Sequence, residues 1–470
     1  MIVQLSEHEQ LLCHKISMAA KSLQMPCYVI GGFVRDKLLN RPTKDIDVVC
    51  VGSGIALAKA TAALFVPAPP VTIFNTYGTA QIKIENDEIE FVGARKESYE
   101  PHSRNPNVQT GSLQDDQLRR DFTINAMAIS LNEADYGQLT DPFNGLADLT
   151  NQIIQTPLAP QQTFIDDPLR MMRAIRFATQ LQFTIAPITL KAITENAHRI
   201  KIITKERITD ELNKILLSNT PSIGFKLLYQ TGLLQIIFPQ MVALAGAQYV
   251  DGKGHKDNFY HTLQVIDNIS QTTTDLWLRW AAVLHDIAKP LTKKFEEGHG
   301  WTFHGHEALG AKMVPKIFEQ LKLPKNEKMR FVQKMVELHL RPISLTKDNI
   351  TDSAIRRLLF DAGHDIEALM KLCNADITSK NAQKVKKYID NFALVKQRCI
   401  AVEAADNIRN WQPPITGEII MKAFNLPPSV LVGIIKDDIR NAILDGQIAN
   451  DYDTAYQYML AIGHKLLTNK

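Results

Sequence analysis

The sequence is short of cysteine, of charge imbalance and of long apolar runs. Of 470 residues only five are cysteine (Cys13, Cys27, Cys50, Cys373 and Cys399), widely scattered and with no CxxC pair. That argues against a disulfide frame or a zinc knuckle and for reduced thiols. Met1 to Glu9 holds no apolar signal core, and no apolar stretch reaches the roughly 18 residues that a membrane span needs. A soluble, cytoplasmic protein with no membrane partner is expected. Net charge is only +3. This says little about partners, because a basic nucleic-acid surface can sit inside a balanced total. Repeats and low-complexity tracts are missing too. What remains, 45% apolar and 22% charged residues, is an ordinary globular mixture long enough for two to four domains.

The pattern changes along the chain. Residues 5–25 read as an amphipathic helix ending before Pro26, and Cys27-Tyr28-Val29-Ile30 reads as a strand entering Gly31-Gly32. Residues 45–51, 71–74, 79–84 and 89–92 read as further short strands, the last two joined by a turn at 85–88. Strands interleaved with helices imply an α/β or α+β head to about residue 150. From Phe164 the period becomes helical, with helices expected at 169–181, 187–200 and 206–217. Polar residues 246–258 suggest a linker. A block at about 255–380 carries regularly placed histidines, and the remainder to residue 470 is helical and partly basic. The expected class is α+β: a head with a small mixed β-sheet (1–150), an all-α neck (151–245), the histidine block (246–380) and a helical tail (381–470).

Asp45 and Asp47 form a D-x-D pair on one predicted strand. Side chains at i and i+2 share a face roughly 7 Å apart, a spacing suited to carboxylates that bridge Mg²⁺ ions. Glu90, in Ile89-Glu90-Phe91-Val92, is the candidate third carboxylate from a neighbouring strand. Alone, D-x-D is more often a solvated strand end. Gly31-Gly32 upstream changes this, because glycines between a strand and a helix let backbone amides approach phosphate. Arg35 adds a charge-assisted contact.

These residues carry a family resemblance. Gly31-Gly32-Phe33-Val34-Arg35-Asp36 with Lys44-Asp45-Ile46-Asp47 resembles the first signature of class II CCA-adding tRNA nucleotidyltransferases and bacterial poly(A) polymerases. Arg119-Arg120-Asp121-Phe122-Thr123-Ile124-Asn125-Ala126-Met127 resembles the second, and 141–149, 164–178 and 205–212 resemble the remaining three, in the family's order. The resemblance implies that Gly31, Gly32, Arg35, Arg120, Asp121, Asn125 and Arg173 hold sugar, phosphate or base. Of Arg119 and Arg120, Arg120 is favoured as the inward one. It implies a Mg²⁺-dependent transferase using CTP and ATP, with tRNA as partner, in which segments 77–80 and 97–113 govern the switch between nucleotides. Two departures stand out: Asn40 replaces the usual Gly, and Asp166-Asp167 replaces the usual Glu-Asp.

Asp167 is expected to cap the helix that follows, with Pro168 at its first position. Asp167 and Arg170, three apart, can share a face. A carboxylate accepting from the amino group of C or A, beside a guanidinium donating to the ring nitrogen, would select both bases over U and G. The resemblance implies that the protein chooses nucleotides in this way, without a nucleic-acid template.

His261, His285-Asp286 and Asp376 form an H…HD…D series, each expected within a helix. Imidazoles and carboxylates converging from helices suit Mn²⁺, Fe²⁺, Ni²⁺ or Mg²⁺. The series resembles the HD domain fused to some of these transferases, with His306 and His339 as further ligands or phosphate contacts. It implies a phosphodiesterase or phosphatase. Lys205 and Arg207, and the basic stretch with Lys384, Lys386 and Lys387, are candidate RNA contacts; a solvated helix face is the plainer reading of that stretch. Residues 415–470 carry no motif, and the sequence does not indicate the oligomeric state. The expected activity is CCA addition. The rivals are a poly(A) polymerase, a partial CC- or A-adding enzyme, or an HD phosphohydrolase with an RNA-binding head.

Overall fold

The computed structural model describes residues 1–75, 78–98, 107–250, 253–345, 351–378, 382–406 and 413–468. The chain folds as two compact units, Met1–Pro239 and Gln240–Lys470. The finer divisions expected at 150 and 380 lie within these units.

The first unit opens with α1 (Glu7–Ser22), which starts at a capping box. The Ser6 hydroxyl accepts from the Glu9 amide, and the Glu9 carboxylate accepts from the Ser6 amide. Then come β1 (Cys27–Ile30), α2 (Gly32–Leu38), β2 (Asp45–Cys50), α3 (Gly54–Ala62), β3 (Val71–Phe74), β4 (Thr79–Ile84) and β5 (Asp87–Gly93). A small hairpin, β6 (Arg95–Ser98) with β7 (Asn107–Thr110), leads to α4 (Leu113–Leu118), β8 (Ala128–Ser130) and β9 (Leu139–Thr140). Seven strands form one mixed sheet in the order β3-β4-β5-β2-β1-β8-β9. The β-branched Val29, Ile30, Ile46, Val48 and Val49 of β1 and β2 are buried, residue types that suit a strand. Ile30, Val49, Ala94 and Ala128 form one core cluster, and each fully buried Val or Ile contributes roughly 1.5–3 kcal/mol.

The register of the sheet positions the site. β2 and β5 pair in parallel, with Asp45 opposite Glu88 and Asp47 opposite Glu90. β1 pairs antiparallel with β2, which sets Ile30 opposite Asp47 and delivers Gly31 to the same end of the sheet. Asn40, after α2, has φ +52°, the left-handed turn that glycine ordinarily takes and asparagine tolerates.

The helices that follow are α5 (Gly145–Thr150), α6 (Pro160–Asp166), α7 (Leu169–Leu181), α8 (Pro187–Asn196), α9 (Lys205–Leu216) and α10 (Pro221–Gln230). The helix expected at 187–200 stops at Asn196, and the chain tightens into a 3₁₀ turn over Ala197–Ile202. α7 packs on α9 and α10. Its expected start is displaced by one residue. Pro168 is the cap, and extended Asp167 accepts from the Leu169 amide through Oδ1, so the capping bond survives from one position further out.

In the second unit the helix Leu276–Leu284 packs against Asn258–Ser270, Glu327–Leu338 and Ile366–Ala375. Asp257 and Asp275 cap the first two N-termini. Buried Arg279 donates to the carbonyls of Thr273 and Ser270, at the end of the helix Asn258–Ser270. Two sequence expectations are corrected here. The linker expected at 246–258 contains a hairpin, Tyr249–Val250 with Lys253–Gly254, and is tied down by Asp257 accepting from the Gly246 amide. His285 and Asp286 are not in mid-helix, since the helix ends at Leu284 and the chain turns through them toward Pro290. Among the described residues the tail consists of the helices Ala382–Asp406, Gly417–Phe424, Val430–Leu444 and Tyr452–Thr468.

All five cysteines are buried, and none of them is in a disulfide. Burial pushes the thiols of Cys13 and Cys27 up to about 12 and that of Cys50 to about 11. Among the described residues no helix is long and apolar enough to cross a membrane.

Candidate active sites

At the end of β2 and β5 lies an open cleft of about 550 Å³. Asp45, Asp47 and Glu90 form its acidic side, and Arg35, Arg120, Asn125 and Arg173 its donor side, with Gly32 and Asp121 also on the wall. Burial raises the Asp47 carboxyl above its usual range. Arg120 works against that shift, and Asp45 adds to it. Glu90 is raised as well, by burial and then by Asp47. Carboxylates that crowd and raise one another mark a place where a cation would be stabilising. Gly31 has φ +83°, and a Cβ there would stand 2.9 Å from Arg120 Nη1 and 3.1 Å from Asp47 Oδ2. Only glycine lets these two side chains close over the backbone.

The donor wall is one hydrogen-bonded chain. Arg173 donates to Asp121 Oδ2 at 2.7 Å through Nε, and its Nη2 lies 2.6 Å away. Asp121 Oδ1 accepts from Asn125 Nδ2 at 3.0 Å, and Asn125 Oδ1 accepts from Arg35 Nη1 at 2.8 Å. Burial would raise the Asp121 carboxyl, but Arg173, Asn125 and Arg170 outweigh it and hold it down at about 2. Asp121 therefore orients this wall as a fixed anion.

Arg120 lines the cleft, whereas Arg119 is not among the lining residues. Both are held by one residue that sequence reasoning missed. Asp116 on α4 is 0% exposed, and its carboxylate meets Arg119 Nη2 at 2.5 Å and Arg120 Nη2 at 3.2 Å. The signal was present, because Asp116 stands three and four residues before the arginines, within one helical turn. A second missed pair is Arg176 with Glu211, buried at 3.1 Å, which joins α7 to α9. Burial lowers Arg176 to about 10 despite Glu211. Phe177 lies under the guanidiniums of Arg35, Arg173 and Arg176, at 4.9, 5.5 and 4.2 Å from its centroid.

Asp167 and Arg170 are not among the residues lining the cleft. Arg170 is buried and donates to the Arg119 carbonyl at 2.7 Å, while Asp167 lies 3.6 Å from Arg207. Lys205 is exposed at the start of α9. Of the segments expected to govern the nucleotide switch, residue 77 and residues 99–106 fall outside the described residues. Lys384, Lys386 and Lys387 lie on the helix Ala382–Asp406. Lys386 is exposed, and the side chains of the other two fall outside the described set.

The second centre brings together all six predicted residues. Asp286 Oδ2 lies 3.4 Å from His261 Nε2 and 3.2 Å from His285 Nε2, while its Oδ1 lies 3.3 Å from His306 Nε2 and 3.9 Å from His339 Nε2. Asp376 Oδ1 stands 2.9 Å from His261 Nε2 and 3.6 Å from His285 Nε2. The rings are held from behind. The Nδ1 atoms of His285, His306 and His339 bond the carbonyls of Ala282, Phe303 and Val336 at 2.6–2.7 Å, and His261 Nδ1 meets the Thr378 hydroxyl at 2.9 Å. Each Nε2 thus faces the centre, and those of His285, His306 and His339 are buried without a hydrogen-bond partner. Burial would lower His285, yet Asp286 and Asp376 raise it to about 10; burial and His285 lower His339 to about 4. Opposite shifts in touching rings, with orphaned buried nitrogens around one carboxylate, fit a divalent cation better than protons. Lys289, another residue the sequence reading passed over, meets Asp286 Oδ2 at 2.6 Å.

Comparison with known proteins agrees with this division. Residues 27–155 match the family model of the poly(A) polymerase head domain, 182–244 that of a probable RNA- and SrmB-binding site of polymerase A, and 258–380 that of the HD domain. A multifunctional CCA protein of Shewanella frigidimarina is 34% identical over 313 residues, which cover 64% of this chain and 70% of that protein. The chain belongs to the multifunctional CCA protein family. Another member, from Pseudomonas fluorescens, is 33% identical over 64% of this chain and 71% of its own length. Among solved structures, a tRNA nucleotidyltransferase complexed with a primer tRNA and an incoming ATP analogue is 25% identical. It has a TM-score of 0.58 and covers 81% of this chain and 99% of its own. The CCA-adding enzyme of Bacillus stearothermophilus in complex with CTP is 23% identical, with a TM-score of 0.64 over 99% of this chain and 100% of its own, and shares the fold. The head-domain match spans Asp45, Asp47, Glu90 and Arg120, and the HD match spans the six ligand candidates of the second centre.

Proposed function

We propose that this chain adds C, C and A to the 3′ end of tRNA from CTP and ATP, without a nucleic-acid template. The observation that carries the reading is the parallel register of β2 and β5, which sets Asp47 opposite Glu90 and beside Asp45, facing a wall of arginines. The terminal 3′-hydroxyl oxygen bonds to the α-phosphorus, the α–β bridging P–O bond breaks, pyrophosphate leaves and the hydroxyl proton passes to solvent. Asp45, Asp47 and Glu90 would hold Mg²⁺, which when bound supplies charge stabilisation to attacking and leaving oxygens. Arg35, Arg120, Asn125 and Arg173 hold triphosphate and sugar, and Gly31-Gly32 lets backbone approach phosphate. Asp167 and Arg170 select the base, with closure of the cleft over the incoming nucleotide bringing them to it. Lys205 and Arg207 contact the RNA, as do Lys384, Lys386 and Lys387. The working parts are the head (1–150), the neck (151–245), the HD domain (246–380) and the tail (381–470), in a cytoplasmic protein.

Primer extension tests this reading. tRNA transcripts ending before CCA, at C and at CC are offered CTP, ATP or both with Mg²⁺. Every product is expected to stop at CCA. A long A tail, or addition limited to CC or to A, overturns it.

A second activity is favoured by the orphaned Nε2 atoms of the second centre. His261, His285, Asp286 and Asp376, with His306 and His339, would hold a divalent metal that supports hydrolysis of a phosphoester. In that reaction a water oxygen bonds to phosphorus, the ester P–O bond breaks and the alcohol leaves with a proton. Release of p-nitrophenol from p-nitrophenyl phosphate with Mn²⁺ or Ni²⁺, abolished by His285→Ala with Asp286→Ala, is the expected result.

A further inference from the structure

Gln81 lines the transfer cleft and has no role in the reaction as described so far. It lies half-buried on β4, in the same wall as Glu88 and Glu90. The register puts it there. Gln81 stands directly opposite Glu90 across the antiparallel β4–β5 pair, and Glu90 stands opposite Asp47 across the parallel β5–β2 pair. Asp47, Glu90 and Gln81 therefore form one row across three adjacent strands. Directly opposite residues of an antiparallel pair share a face, with Cβ atoms roughly 5 Å apart.

The neighbouring row holds Gln81 in place. Glu88, opposite Asp45, accepts from Lys83 and, at 3.0 Å, from Gln81 Nε2. Glu88 is thereby engaged, which leaves Asp45, Asp47 and Glu90 as the carboxylates for Mg²⁺. It also fixes the Gln81 amide in one orientation. Among the described residues this is the one side-chain hydrogen bond that Gln81 makes. The amide keeps a carbonyl oxygen and a second N–H for a ligand.

The chemistry of the cleft identifies that ligand. In-line transfer places the attacking oxygen opposite the leaving one. The sheet order β4-β5-β2-β1 turns this into a direction. The phosphate donors sit on the β1 side, since Arg35 lies on α2, which follows β1, and Arg120 closes over Gly31 at the end of β1. Pyrophosphate held there leaves toward β1, so the attacking hydroxyl comes from the β5–β4 side. That hydroxyl is the 3′-hydroxyl of an RNA end, and its vicinal neighbour on the ribose is the 2′-hydroxyl. With the 3′-oxygen beside Asp45, Asp47 and Glu90, the 2′-hydroxyl falls on the next residue of the row, which is Gln81. A 2′-hydroxyl is donor and acceptor at once, and the free half of the amide matches it.

We propose that Gln81 binds the 2′-hydroxyl of the terminal nucleotide of the RNA that is extended, with Glu88 as the positioning residue for its amide. This rests on the nucleotide-addition reading of the cleft. Gln81 thereby makes the cleft selective for RNA ends over ends that lack the hydroxyl.

The test uses the full chain with Mg²⁺ and compares the unsubstituted protein with Gln81→Leu, which keeps the bulk of the side chain and removes its polar end. Substrates are tRNA ending at C, offered CTP, and tRNA ending at CC, offered ATP, each with a 2′-hydroxyl or a 2′-deoxy terminal nucleotide. Because a 2′-hydroxyl also acidifies its neighbour, the readout is how the hydroxyl-to-deoxy ratio of kcat/KM changes between proteins. That ratio is expected to fall about fivefold in Gln81→Leu, the worth of one neutral hydrogen bond, with KM for CTP and ATP and the melting temperature unchanged. Glu88→Ala, which frees the amide to rotate, is expected to lower the ratio in the same direction and by less. An unchanged ratio in Gln81→Leu overturns the subsite and leaves the addition reading standing. Equal loss on both ends, or a raised KM for the nucleotides with the ratio intact, makes Gln81 a support of the cleft and overturns the subsite too. A long A tail, or extension by one nucleotide alone, overturns CCA addition, while the ratio on the end that is extended still decides the subsite. Absence of transfer to every end overturns both.

Discussion

At Asp116 a carboxylate with no solvent exposure holds two guanidiniums, and only one of them, Arg120, faces the cleft. Asp116→Asn keeps the shape and removes the charge. It is expected to raise KM for CTP and ATP alike by about tenfold, about 1.4 kcal/mol, with KM for tRNA unchanged in steady-state addition assays. Asp121 carries a prediction of a different kind. Its carboxyl falls from the ordinary 3.8 to about 2 on folding, so the folded state binds its proton less tightly than the unfolded one. The stabilisation is fully present above pH 4 and is lost as pH falls from about 4 to about 2; integrated, it amounts to about 2 kcal/mol. Melting curves across that window should show a shallower acid loss for Asp121→Asn. These roles were only half legible in the sequence. Asp121 stood in a motif. Asp116 stood outside it, and its importance comes from burial, which spacing alone does not report.

At the scale of elements, strands and helices were largely legible from periodicity. β3 (Val71–Phe74) and β4 (Thr79–Ile84) begin and end where the pattern places them. What periodicity did not contain was register. Alternation says that Asp45 and Asp47 share a face, whereas only the pairing of β2 with β5 says that Glu90 stands opposite Asp47. Boundaries failed where a local bond competed with the pattern, as when Asp167 caps α7 from outside it and when the helix Leu276–Leu284 stops before the His-Asp dyad. The Arg176–Glu211 bridge between α7 and α9 is likewise a product of packing. A double-mutant cycle on Arg176→Met and Glu211→Leu, read by denaturant melts, should return a coupling energy of about 2 kcal/mol. Each single change should cost more than the double, because it leaves one buried charge alone.

For the whole molecule, the two centres lie in separate units, each with its own core. Asp45→Ala or Asp47→Ala should abolish nucleotide addition and leave phosphoester hydrolysis in place; His285→Ala with Asp286→Ala should do the reverse. The three orphaned imidazole nitrogens predict that micromolar Mn²⁺ or Ni²⁺ raises the melting temperature of the chelator-treated protein by several degrees. That shift should vanish in the His285→Ala, Asp286→Ala double variant. The buried thiols have a practical consequence. Their raised pKa values keep Cys13, Cys27 and Cys50 as unreactive thiols at neutral pH, and Cys373 and Cys399 are sheltered as well. A cysteine introduced at an exposed position would then be the one fast-reacting site for a maleimide dye or spin label. The chain can be tagged for single-molecule work without first removing its native cysteines.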